Sequence, residues 1–243
     1  MTQQPDDQPP PGVPIGDLAR RADQVQQGGA RAAVLGVNDG LVSVLCLILG
    51  VAGAGSSPTA VRLAGLAGLL AGAVSMAAGE WISVTAQVEL FKGVLKELRG
   101  FVRSAPDALA SMLAASLRKA GFSGETAHAA AREAAATEES LFAVSARRIV
   151  GIDPGELGSP WTAAISSFAL FTVGGLVPVL PWFFAGGTGA VIASIAGTGL
   201  AGLGVGAVVA RSSGRNIVFG ALRQLLIVLL AAVVTYYAGT LVG

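Results

Sequence analysis

Two carboxylates stand where an apolar chain has little reason to keep them. Asp39 lies in "GVNDGLVSVL" and Glu80 in "SMAAGE", and of the 15 acidic residues only these two fall inside long apolar runs. A charged side chain at mid-bilayer costs about 2.5–3.5 kcal/mol even on the milder insertion scale, so each must face protein or water. On a helix, positions four apart share a face. Ser43 follows Asp39 by four residues, and Met76 precedes Glu80 by four. Asn38 adds an amide beside Asp39. Hard oxygen ligands with a softer thioether nearby suit a borderline divalent cation such as Fe²⁺ or Mn²⁺. Mg²⁺ and Ca²⁺ would gain little from sulfur. Gly36 and Gly40 flank Asp39 and are expected to let its helix flex around such an ion.

Other readings of the same residues stand beside this one. Arg223 sits in another apolar run and can neutralise a carboxylate in a structural ion pair. A lone methionine such as Met76 is more often core filling than a ligand. A carboxylate in low dielectric has a raised pKa and can also serve proton transfer.

The elements that must carry these groups are membrane spans. Hydrophobic residues make up 53% of the 243 and charged residues only 13%, against about a quarter charged in soluble domains. A bilayer core of about 30 Å needs roughly 20 apolar residues in a helix. Five stretches qualify: 32–54, 61–86, 161–184, 188–210 and 216–242. The expected fold is all-α, a five-span membrane protein. A three-helix cytoplasmic insertion at 87–160 separates spans one and two (31–86) from spans three to five (161–243). Residues 1–30, polar and rich in proline, read as a disordered tail without a signal peptide.

Orientation follows from the basic residues. If the spans alternate, 14 of the 16 Lys and Arg fall on the side of the tail and the 87–160 segment. That side is therefore expected to be cytoplasmic, with the C-terminus outside. Trp161 at one interface, and Trp182, Tyr236 and Tyr237 at the other, suit aromatic belts. Asp39 then lies eight residues past Arg31, roughly 12 Å along its helix. Glu80 lies nine before Glu89, roughly 13 Å. Antiparallel neighbours would bring both carboxylates to one level.

Several function classes drop out. Net charge is +1, which gives no reason to expect nucleic acid as a partner. The single cysteine, Cys46, permits no intrachain disulfide. Neither a GxxxxGK[ST] phosphate loop nor a Ser/His/Asp or Cys/His constellation is present, so no enzyme and no cofactor are expected.

Four strings carry a resemblance. "GVNDGLVSVLCLILGVAGA", "GAVSMAAGEWISVTAQ", "LGSPWTAAISSFALFTVGGLVPVLP" and "RQLLIVLLAAVVTYYAG" resemble the vacuolar iron transporter family, over about residues 30–243. The resemblance implies a five-span homodimer with its path along the subunit interface. It also implies export of cytosolic Fe²⁺, often Mn²⁺ as well, usually in exchange for protons. The family's membrane aspartate, methionine and glutamate fall on Asp39, Met76 and Glu80. Five helices cannot form two inverted halves, so a symmetric path needs a second copy.

The 87–160 segment departs from the family pattern of clustered glutamates. Its helices are expected to continue span two to Arg103, then run over 106–120 and 123–148. Candidate metal ligands there are Glu89, Glu97 and Glu138, with basic residues interleaved and one histidine, His128. The segment reads as a degenerate metal-binding domain that has become mainly a dimer scaffold. The expected function is export of Fe²⁺ or Mn²⁺ from the cytoplasm by proton exchange. The expected setting is a lipid bilayer, a bacterial plasma membrane on the Ala/Gly/Arg-rich composition. The alternative is a non-transporting metal sensor or scaffold.

Overall fold

The computed structural model describes residues 29–243, with side chains from Gly36 onward. The expected disordered tail lies outside the described residues. Those described form helices and no strands, as the composition predicts. Five of the helices are long and apolar enough to cross a membrane. The helices are α1 (Gly29–Gly53), α2 (Pro58–Ser104), α3 (Pro106–Lys119), α4 (Gly124–Ala134), α5 (Glu138–Ser145), α6 (Pro160–Val179), α7 (Pro181–Phe184), α8 (Gly187–Ser212) and α9 (Ile217–Val242). A π-helical turn, Ala146–Val150, extends α5. In lipid every backbone N–H and C=O must be satisfied within the segment, which is why the apolar runs are helices.

The described residues divide into two compact units, 29–82 with Pro160–Gly243, and Ser83–Ser159. In the first, α1 is the central element and packs against α6, α8 and α9. Glycines permit these contacts. A Cβ on Gly40 would lie 2.2 Å from the Phe171 carbonyl oxygen of α6, and one on Gly239 of α9 would lie 2.1 Å from that of Gly50. Backbones approach this closely only where the side chain is absent. By contrast α2 stands off and meets α1 and α6 through Leu47, Ile48, Leu69 and Phe171.

One expected span is interrupted. Span three was expected to run unbroken to Phe184, but α6 stops at Val179 and α7 restarts at Pro181. Pro181 has no N–H and its ring clashes with the preceding turn, so the helix re-initiates there. Trp182, expected in an aromatic belt, is 3% exposed and shares an apolar cluster with Val61 and Ala190. At the other end of α6, Trp161 stacks obliquely on Trp81, with ring centroids 5.9 Å apart.

The second unit is built on the distal half of α2, which continues from the membrane-length stretch without a break, as expected. Phe91, Val94, Leu95, Leu98 and Val102 recur at three- and four-residue spacing along it. They pack with Leu109, Leu113, Leu141 and Phe142 in one core. Gly121, with φ +99, ends the α3 region at the expected place. The third expected helix, 123–148, is instead divided. Thr137 has extended backbone and its side chain accepts the Ser140 N–H at 3.1 Å, capping a fresh start at Glu138.

Candidate functional site

The stand-off between α1 and α2 leaves a cavity of about 320 Å³ within the first unit. Its polar lining is Asp39, Ser43 and Ser75, with the thioether of Met76, and Phe171, Val44 and Leu47 form apolar walls. Helical spacing places Ser43 one turn beyond Asp39, and its hydroxyl donates to Asp39 Oδ1 at 2.7 Å. Met76 reaches across from α2 to Gly36: a Cβ on that glycine would lie 3.6 Å from Met76 Cε and 3.9 Å from its sulfur. Those are ordinary contacts; the tighter neighbour of that Cβ is Leu170 Cβ of α6 at 3.3 Å, so Gly36 chiefly serves the packing of α1 on α6. Gly40 sits against α6, so the structure gives it a role in close packing.

Of the sequence-predicted residues, the cavity gathers Asp39, Ser43 and Met76. Glu80 does not line it; it is half-buried on α2, one turn beyond Met76. Asn38 points elsewhere, its Oδ1 accepting a hydrogen bond from Gln224 Nε2 of α9. Arg223 is exposed, and no ion pair joins it to Asp39 or Glu80 among the described residues. The structural ion pair that the sequence left open is not formed within the chain.

The candidate ligands of the second unit are engaged differently. Glu138 pairs with Arg103 at 3.6 Å and Glu139 with Arg99 at 3.4 Å, across α5 and α2. The Arg99 guanidinium also lies 4.4 Å from the Phe142 ring centroid. Glu89, Glu97 and His128 are exposed. No group of three His, Cys, Asp or Glu residues is placed to hold a metal among the described residues. After α5, Asp153 accepts from Arg147 Nε at 3.0 Å and from the Gly155 N–H at 3.0 Å. The Gly155 N–H, and then Arg147, hold its carboxyl below the ordinary value of 3.8.

Sequence reasoning missed Ser75 and Gln224. Ser75 stood in the quoted string beside Met76, and a hydroxyl next to a candidate ligand was a usable signal. Gln224 was a neutral polar residue beside Arg223 in an otherwise apolar stretch of α9, and it asks for a partner in the same way as a charge does. It is 8% exposed and passes beside Gly202 and Gly206 of α8, where Cβ atoms would meet its Cγ at 3.5 Å and Cβ at 2.9 Å.

One carboxylate, two hydroxyls and a thioether on a single cavity can take a partly hydrated cation. They offer little to an anion or an apolar solute. With that geometry in view, the comparisons are specific. The chain matches the VIT family over residues 30–240. It is 35% identical to vacuolar iron transporter homolog 1 of Oryza sativa subsp. japonica over 199 residues, 78% of this chain and 67% of that protein. Identity to homolog 2 of the same plant is 34% over 212 residues, 85% of this chain and 86% of the relative. A vacuolar iron transporter of Acanthamoeba castellanii is 34% identical over 199 residues, 81% of this chain and 72% of its own.

Proposed function

Since the chain belongs to the VIT family, an integral membrane family of transporters rather than enzymes, we propose that it exports Fe²⁺, and Mn²⁺ as well, from the cytoplasm in exchange for protons. The observation that carries this reading is the meeting of Asp39, Ser43, Ser75 and Met76 on one membrane-unit cavity. Asp39 supplies the charge that replaces part of the ion's hydration shell. The hydroxyls supply neutral oxygens, and the Met76 sulfur biases the site toward transition metals. Glu80, one turn beyond Met76, is the next station on α2.

The working unit is a homodimer. One chain brings a single carboxylate to the cavity, and no three-residue metal group is present among the described residues. On α2, Ala67, Ala71, Ala78 and Gly79 are exposed, with Leu70 at 59% and Val74 at 58%. Small exposed residues of this kind admit a second helix at close range. The excess of basic residues on the tail and the 83–159 unit supports a cytoplasmic side for both. The relatives are named for vacuoles; the Ala/Gly/Arg-rich composition favours a bacterial plasma membrane here.

A second reading, a non-transporting metal sensor or scaffold, is favoured by one observation. Glu138 and Glu139 are occupied by Arg103 and Arg99 rather than free for metal. Flux separates the two. Proteoliposomes loaded with a metal-sensitive dye and given an inward Fe²⁺ gradient should fill faster than empty liposomes, and an opposed pH gradient should speed them. Saturable Fe²⁺ binding without flux would establish the sensor instead.

A further inference from the structure

Three arginines at the α8–α9 corner take no part in the cation site. Arg211 lies in the last turn of α8, Arg215 in the connection and Arg223 in the second turn of α9. Residues 187–243 contain no Asp or Glu, and no ion pair reaches any of the three among the described residues. The corner is tight. Gly214 has φ +64, and the Arg215 N–H donates to the Ala210 carbonyl at 2.8 Å. Arg211 and Arg215 therefore leave the hairpin at the same end.

Arg223 is the unusual member. It lies six residues into α9, roughly 9 Å along the axis, and is exposed, about 100° and 140° around the helix from the buried Gln224 and Val228. Its neighbours one turn either way are Phe219, 64% exposed, Leu226, 66%, and Ile227, 45%. A guanidinium stays charged and cannot be neutralised by losing its proton. Helical side chains lean toward the N-terminus, so Arg223 leans toward the corner that holds Arg215. A group that satisfies it must be anionic, sit at headgroup depth and continue into something apolar along Phe219, Leu226 and Ile227.

We propose that Arg223, with Arg211 and Arg215, binds the phosphate of an anionic phospholipid whose acyl chains lie along the exposed stripe of α9. The fork of Arg donors matches two phosphate oxygens at once. A zwitterionic lipid would bring its own cation to a cluster that already carries three. The site requires only that α8 and α9 cross the membrane, so it stands apart from the identity of the transported ion.

The test uses the purified full chain in neutral detergent and follows its thermal midpoint against added phosphatidylglycerol, phosphatidylcholine or inorganic phosphate. Phosphatidylglycerol should raise the midpoint saturably, while the other two leave it unchanged. Arg223→Leu places an apolar residue on an apolar stripe and should fold. It should need about fivefold more phosphatidylglycerol for half the shift, the worth of one basic side chain at an anionic surface. Arg223→Lys should fall between. An Arg223→Leu response equal to wild type would overturn the proposal, as would an equal response to phosphatidylcholine. Inorganic phosphate reproducing the shift would show a bare anion site. Loss of the dimer in Arg223→Leu with its lipid response intact would show that a second copy covers this face.

Discussion

Asp39 keeps a carboxylate on a membrane-length helix, held by the Ser43 hydroxyl at 2.7 Å, and no Lys or Arg pairs with it among the described residues. Asp39→Asn preserves shape and the Ser43 contact but removes the charge, so Fe²⁺ flux should fall at least tenfold while the protein still folds. Met76→Leu keeps volume and deletes the sulfur. Its Fe²⁺ uptake should drop severalfold, and Mn²⁺ uptake less, in parallel dye assays, because the harder ion depends less on a thioether. Equal losses for both ions would assign Met76 to packing. Asp153 offers a pH test outside the membrane. Its folded pKa is depressed, so its contribution is present above about 3.8, the ordinary carboxyl value, and is lost as pH falls through the lower folded value. Thermal midpoints of Asp153→Asn and wild type should therefore differ at pH 7 and converge in strong acid. Asp39 and Met76 were legible in the sequence because a charge or a soft ligand is conspicuous in an apolar run. Gln224 was overlooked because, apart from its neighbour Arg223, the surrounding stretch of α9 is apolar on every side, and its sequence does not show which face is buried.

At the scale of helices, small residues decide what can touch. Gly40→Ala puts a methyl 2.2 Å from the backbone oxygen of Phe171, which cannot move without shifting α6. Overpacking of this kind costs about 1–3 kcal/mol, and chemical denaturation in mixed micelles should show it. Gly204→Ala in α8, where an added Cβ meets nothing within 4 Å, is the matched control and should be neutral. Gln224→Leu should cost about 0.6–1.7 kcal/mol through loss of the Asn38 bond, the range for such bonds between membrane helices. Element existence was readable from hydropathy and length. The interruptions were harder to see. Pro181 was visible, yet a proline inside an apolar run does not reveal whether the helix kinks or restarts. The Thr137 cap lay hidden in an alanine-rich stretch whose propensity argued for a continuous helix.

In the whole molecule, α1 organises the membrane unit, while α2 stands off and turns an exposed face outward. That arrangement opens the cavity and leaves α2 available to a second copy. A Val74→Cys protein in a Cys46→Ser background should cross-link to a dimer in membranes under mild oxidant; persistent monomer would place the partner elsewhere. Five spans and a helical insertion followed from composition alone. The absence of Glu80 from the cavity lining did not, because depth along a helix says nothing about rotation around it. The claim beneath all of this is that the Asp39 cavity passes metal. The most direct measurement is Fe²⁺ flux into dye-loaded proteoliposomes for wild type and Asp39→Asn, at matched protein incorporation. The account predicts rapid uptake that the substitution cuts at least tenfold; equal flux in both would contradict it.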